Sequence, residues 1–299
     1  MKQVVILSGK GGTGKTILAA SYASLARGAV IADCDVDAPN LHLLLQPRVL
    51  ERGSFTASKV AVIDGKACTS CMKCVPLCRF GAIRVIGNEG LQKVALDESR
   101  CEGCGVCMRV CPVRAVRLED RTCGEWFVSE TKKGKMVHAL LNPGGENSGK
   151  LVALVKHKAT QIAAHSGAGL VLIDGPPGLG CPVISTLAGA DFVVLVAEPT
   201  RSGLSDFERI ASLVHGFTVR TACVINRYDI NVPIAKEIEK RAFEMSMPVL
   251  ALVPYDDAVV SSMARGKAPV EDDGTGAASC AITVSWRKLV NLLGLNEEV

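Results

Sequence analysis

The chain is 299 residues long, 48% hydrophobic but only 4% aromatic, with 34 Lys/Arg against 30 Asp/Glu, a formal charge of +4. That length allows one large or two modest domains with a real core, and so small an excess of charge argues against a nucleic-acid partner. No apolar run reaches the roughly 18 residues of a spanning helix and no export signal opens the chain, so the expected compartment is a reducing cytoplasm, where thirteen cysteines favour metal over disulfides.

Residues 3–7 read as a short buried strand, 8–14 as a glycine-rich loop and 15–26 as a helix. Residues 29–32 form a second apolar strand ending at Asp33, which completes a βαβ unit. Inside it, Gly9-Lys10-Gly11-Gly12-Thr13-Gly14-Lys15-Thr16 fits the phosphate-loop pattern G-x-x-x-x-G-K-[ST]. Glycines let backbone N–H groups turn onto phosphate oxygens, and the following helix presents its positive end. Gly11, Gly12, Thr13, Gly14, Lys15, Thr16 and Ile17 are thereby assigned to the nucleotide, Lys15 to its β- and γ-phosphates and the Thr16 hydroxyl to Mg²⁺.

From about Thr56 to Asp120, cysteine, glycine and basic residues replace this rhythm. Between Lys59 and Arg121 stand eleven Lys/Arg and seven Asp/Glu, a difference of +4 that equals the excess of the whole chain. Such a basic segment can offset the negative charge of thiolate-bound clusters. It contains Cys68-x₂-Cys71-x₂-Cys74-x₃-Cys78 and then Cys101-x₂-Cys104-x₂-Cys107-x₃-Cys111-Pro112, an internal repeat in which each run leads into a short apolar stretch. The doubled rhythm is the bacterial two-cluster ferredoxin pattern, in which the fourth cysteine of each run serves the other cluster. One [4Fe–4S] cluster then takes Cys68, Cys71, Cys74 and Cys111, and the second takes Cys101, Cys104, Cys107 and Cys78. Zinc sites also use four cysteines, but without this x₂-x₂-x₃ rhythm twice. Arg79 stands where the second run has Pro112.

Residues 125–141 look extended and return the chain to its sheet. After them, 148–165 look helical, 170–173, 192–197, 221–225 and 248–253 read as strands, and 283–293 as a last helix. The expected class is α/β: a mostly parallel P-loop sheet over 1–57 and 121–299, interrupted at 58–120 by a small α+β bacterial-ferredoxin domain.

The run Lys10-Gly11-Gly12-Thr13-Gly14-Lys15-Thr16 resembles the deviant Walker A motif of the MinD/Mrp/ParA family, which includes the nitrogenase iron protein and the arsenical-pump ATPase. The resemblance implies a MinD-like fold. It also implies that Lys10 reaches the partner's nucleotide across a dimer interface, so that the working form is a homodimer with ATP sandwiched in it. Ile17 departs from the Thr or Ser of many members. Asp33-Cys34-Asp35-Val36-Asp37 resembles switch I, which implies that Asp35 orients or activates the attacking water and that Asp33 lies near Mg²⁺. Asp174-Gly175-Pro176-Pro177-Gly178 resembles the Walker B and switch II segment, with Asp174 holding Mg²⁺ through water and the Gly178 N–H near the γ-phosphate. By the same resemblance Asn226 bonds adenine, with Arg227 and Pro254 on the base side, while Glu198-Pro199-Thr200 receives no chemistry.

As a whole the chain resembles MinD-superfamily ATPases that carry an inserted ferredoxin domain. That implies Mg²⁺-dependent hydrolysis of ATP to ADP and phosphate, catalysed by Lys10, Lys15 and Asp35, and coupled to electron transfer toward an unidentified redox or metalloprotein partner. Amidotransferase activity is not implied, since no glutaminase segment with a convincing Cys/His pair is present. Two alternatives stand beside this reading: an iron–sulfur or metal-cofactor carrier of Mrp type, and spatial positioning as in MinD. Positioning needs an amphipathic tail. Trp286, Leu289, Val290, Leu292 and Leu293 make an apolar stripe, but Asn296-Glu297-Glu298-Val299 follows, which anionic lipid repels, so no stable membrane anchor is expected. Among the other cysteines, Cys223 is expected in the core, Cys280 in helix packing, and Cys34 and Cys181 as buried or idle thiols.

Overall fold

A computed structural model describes residues 1–88, 91–272 and 274–295. In chain order the elements are β1 (Lys2–Ser8), α1 (Lys15–Leu25), β2 (Val30–Asp33), α2 (Leu41–Leu45), β3 (Arg48–Ile63), β4 (Ile83–Ile86), β5 (Lys93–Leu96), α3 (Val106–Val110), β6 (Val116–Thr131) and β7 (Gly134–Leu141). There follow α4 (Ser148–Ser166), β8 (Leu170–Pro177), α5 (Cys181–Leu187), β9 (Phe192–Ala197), α6 (Arg201–His215), β10 (Arg220–Asn226), α7 (Val232–Glu244), β11 (Val249–Val253), α8 (Asp257–Ala264), α9 (Pro269–Asp272) and α10 (Ala277–Leu293). Two compact units result, one of Met1–Gly53, Glu125–Leu140 and Ser148–Val299, the other of Ser54–Gly124 and Leu141–Asn147.

The first unit carries the sheet order β11-β10-β9-β1-β8-β2-β7, continued by its portions of β6 and β3. Every pairing from β11 through β7 is parallel, so the mostly parallel α/β sheet expected from the sequence is present. Strands covered on both faces need apolar side chains in both directions. Accordingly Val4, Val5, Ile6 and Leu7 of β1 are all fully buried, as are Val193, Val194 and Leu195 of β9. Among the helices, α1 packs on α9 and α10, α4 on α5, and α6 on α7.

Helix α10 begins at Ala277, earlier than the expected start at 283. Its Ala277-Ala278-Ser279 opening has no apolar periodicity to read, yet Ala278 and Ser279 are buried and the Ala278 N–H donates to Asp256 Oδ2 at 3.2 Å. The apolar stripe of this helix is core: Trp286 lies 5.2 Å from Tyr22, ring to ring, and Leu289, Val290 and Leu293 are buried beside it. The tail Asn296-Glu297-Glu298-Val299 lies outside the described residues. No helix among the described residues is long and apolar enough to cross a membrane.

The second unit is built on its portions of β3 and β6, the antiparallel hairpin β4–β5 with Ile83 opposite Leu96, and the short helix α3. Strand β3 has no counterpart in the sequence reading. Arg48, Glu51, Arg52 and Lys59 interrupt any apolar rhythm, and its ladder partner β6 lies far along the chain. The buried apolar side chains of this unit are few and mostly small, among them Ala61, Ala82, Ile83, Ala115 and Val116.

Candidate functional site

Strand β1 ends at Ser8, and the glycine loop carries the chain into α1 at Lys15. Gly14 sits at φ 94°, and a Cβ there would stand 2.3 Å from Asn226 Nδ2, so only glycine fits. Lys15 opens the helix with its side chain buried and its Nζ 2.7 Å from Asp174 Oδ1 and 3.8 Å from Asp35 Oδ2. Asp33 and Asp174 are register partners on the neighbouring strands β2 and β8. Asp33 accepts the N–H groups of Asp35 (3.1 Å) and Leu41 (3.2 Å), which shapes the turn after β2.

Three carboxylates and one ammonium thus share a buried site. Burial, then the charge of Asp174, pushes Asp33 up to about 8, with Lys15 opposing. Burial and Asp174 raise Asp35 as well, again against Lys15. Burial pulls on Lys15 in the opposite sense, but Asp174, Asp35 and Asp33 outweigh it and the ammonium is held above its ordinary value. Two oxygens here are buried without a protein partner, Asp174 Oδ2 and Thr13 Oγ1. Buried polar atoms are normally satisfied, so an orphaned carboxylate oxygen beside Asp33 fits a cation or its bound water. Thr16 Oγ1 stands 3.5 Å from Lys15 Nζ.

Lys10 is turned onto residues of its own chain that the sequence reading left without chemistry. Its Nζ lies 3.0 Å from Thr200 Oγ1, 3.2 Å from Ser202 Oγ and 3.3 Å from Glu198 Oε2. Glu198 also pairs with Arg227 at 3.1 Å. Thr200 caps α6 by accepting the Gly203 N–H. The available signal was topological: Glu198 follows β9, the parallel neighbour of β1, and ligand sites of open α/β sheets gather at strand C-terminal ends. Gly178 follows the end of β8. Its N–H donates to Ser8 O at 3.1 Å, because β8 runs on to Pro177 in register with Ser8.

Gly14, Ile17, Asn226, Arg227, Pro254 and Tyr255 border one open-mouthed cavity. Its floor is apolar, with Val196, Val224 and Val253 from three strands. The Asn226 amide donates to Thr13 O at 2.8 Å and so ties β10 to the glycine loop.

In the second unit the eight cysteines of the repeat ring two cavities, each of about 350 Å³ including open space. Cys68, Cys71, Cys74 and Cys111 line one; Cys101, Cys104, Cys107 and Cys78 line the other. Backbone N–H groups point at sulfur in both, Ala115 to Cys111 Sγ at 3.2 Å and Ala61 to Cys101 Sγ at 3.4 Å. Burial, then the charges of Cys68, Cys71 and Cys111, hold the Cys74 thiol above its ordinary value. Among the described residues no three His, Cys, Asp or Glu side chains converge as a single-ion site requires. Hydrogen bonding with Glu102 raises the carboxyl of Glu146. Of the remaining cysteines, Cys34, Cys123 and Cys223 are buried, while Cys181 and Cys280 are exposed. Cys280 therefore takes no part in helix packing; its thiol turns to Gly274 O and Thr275 O.

Residues 4–270 match the family described as the CobQ/CobB/MinD/ParA nucleotide binding domain. The chain belongs to this family. An uncharacterised protein of Methanocaldococcus jannaschii is 32% identical over 255 residues, 83% of this chain and 87% of its own length. The MinD protein of Pyrococcus horikoshii, solved with Mg-ADP, superposes with a TM-score of 0.58 over 98% of this chain and 97% of that one; at 17% identity the likeness is one of fold. A stretch of 70 residues, 23% of this chain, is 36% identical to 25% of one component of an ion-translocating oxidoreductase complex from Methanosarcina acetivorans. In this CobQ/CobB/MinD/ParA domain the loop after β1, the Asp turns after β2 and at the end of β8, and the cavity at β10 and β11 all stand where a doubly wound sheet receives its ligand.

Proposed function

We propose that the chain is a Mg²⁺-dependent ATPase that, as a homodimer, couples ATP binding and hydrolysis to electron transfer through two [4Fe–4S] clusters. The nucleotide half rests on one observation, the Lys15 ammonium buried against Asp174 and Asp35 at the end of the glycine loop. Phosphate oxygens would draw Lys15 away from those carboxylates and leave them for a cation. Thr16, Asp33 and Asp174 are the residues that would hold Mg²⁺, which when bound neutralises charge on the transferring phosphoryl group. Asp35 is the least buried of the three carboxylates, and it would orient the attacking water and accept its proton. Gly11, Gly12, Thr13 and Gly14 would cradle phosphate with backbone N–H groups, while Ile17, Asn226, Arg227 and Pro254 receive the base. Lys10 must leave Glu198, Thr200 and Ser202 to reach a partner's nucleotide.

The redox half rests on the gathering of Cys111 with the first run and Cys78 with the second. Two equal cavities, each with four thiols, mostly apolar walls and an N–H aimed at sulfur, fit the crossed ligand set of a two-cluster ferredoxin. The thin core of the second unit supports the same reading, since small scaffolds commonly depend on a metal staple. The likeness to the oxidoreductase component favours electron transfer over delivery of a cluster.

The test is anaerobic. Iron content and ATP turnover are measured on the full chain, and turnover is compared between oxidised and dithionite-reduced protein. Eight irons per chain and a rate that differs with redox state are expected. Full iron with an unchanged rate would separate the two halves, and a chain that takes up no iron would remove the redox half.

A further inference from the structure

The two cysteine cavities are built alike. Each has one exposed cysteine, Cys71 or Cys104, and in each a backbone N–H is directed at a ligand sulfur. Thiols apart, their walls differ in charge. Among the described residues, Lys73 is the one charged residue lining the cavity of Cys68, Cys71, Cys74 and Cys111. Among the described residues, Glu102 is the one charged residue lining the cavity of Cys101, Cys104, Cys107 and Cys78. Arg79 follows Cys78 in sequence but does not line the cavity.

Reduction adds one negative charge to a cluster. A nearby ammonium favours the reduced form and a nearby carboxylate disfavours it, and net charge is one of the properties that set a cluster's potential. We propose that Lys73 and Glu102 set the two clusters at different potentials, with the cluster beside Lys73 the higher, so that the repeat has a direction. With clusters bound, a one-electron donor reducing the one beside Glu102 would leave that electron free to move to the one beside Lys73, the first being reoxidised as the second is reduced, with no proton or bond exchanged. The inference rests on the cluster reading above.

The experiment is a redox titration of the reconstituted full chain, with dithionite and mediators, followed by electron paramagnetic resonance after iron has been counted. Two one-electron waves are expected. Lys73→Gln should lower the upper wave alone, and Glu102→Gln should raise the lower wave alone. Each should change the distribution of the first electron between the clusters by at least about threefold, roughly 28 mV at 59 mV per decade. Lys73→Arg and Glu102→Asp, which keep the charge, should leave both waves in place. If Lys73→Gln fails to take up iron, Glu102→Gln alone still reads the gap. Coincident waves in the unaltered chain, or waves that ignore these charges while all eight irons are present, would overturn this inference and leave the cluster reading intact. A chain that holds no iron would overturn both.

Discussion

His138 shows how one side chain can tie stability to acidity. It sits on β7 in register with Asp33, stacked on Phe127 at 4.9 Å and facing His42 at 6.3 Å, with Nδ1 buried and unpartnered. Burial, then His42, holds the imidazole down to about 4, against an ordinary 6.5. Below pH 6.5 the unfolded chain binds a proton that the folded chain refuses. Stability is therefore lost as pH falls from 6.5 toward 4, by up to about 3 kcal/mol from this group. His138→Phe keeps the stack and should flatten that slope, which urea midpoints at pH 7 and pH 5 will read. None of this was visible in the sequence, where His138 is one polar residue in a strand. Lys15 was visible, because a contiguous motif names it; its companions Asp33, Asp35 and Asp174 were found only through resemblance, since strand order brings them together.

At the scale of elements, α4 and α5 show a helix end closed from outside. The buried Lys156 of α4 donates to Thr186 O at 2.5 Å and Ala188 O at 2.6 Å, two carbonyls at the open end of α5. A cation there also meets the negative end of the helix dipole. Burial lowers its pKa, with Cys34 opposing. Lys156→Met should cost about 1–3 kcal/mol by leaving those carbonyls unmet, a loss to be measured by urea unfolding with far- and near-ultraviolet circular dichroism. An unchanged midpoint would show that water replaces the ammonium. In the sequence Lys156 is indistinguishable from a solvent-facing lysine of an amphipathic helix. The strands were more legible: residues 170–173 and 192–197 are apolar throughout because both faces are covered. The polar β3 was not, because its order comes from pairing rather than from its own pattern.

For the whole molecule, the proposed dimer would require Lys10 to leave the contacts it makes in the single chain. Its contacts to Glu198, Thr200 and Ser202 are partly exposed and are worth little to stability, about 1 kcal/mol or less, so exchanging them for a partner's phosphate is inexpensive. Asp35→Asn, which should bind ATP without hydrolysing it, is expected to run as a dimer with Mg-ATP in multi-angle light scattering. Adding Lys10→Ala should return it to monomer while a fluorescent ATP analogue still binds. An Asp35→Asn chain that stays monomeric at saturating nucleotide would refute the sandwiched form.

By itself the sequence determined what lives in short contiguous spacing: the glycine loop of the nucleotide-binding domain, the doubled cysteine rhythm, and the apolar runs of a sheet covered on both faces. Each is local, because a ligand or a covering helix imposes its spacing on neighbours in the chain. Tertiary structure decided what depends on elements far apart in sequence. It set Asp174 on Lys15 through the β1–β8 and β2–β8 pairings, turned Lys10 onto the end of β9, and drew Cys111 in with the first cysteine run. Those contacts carry no sequence period, since strand order rather than residue order brings them together.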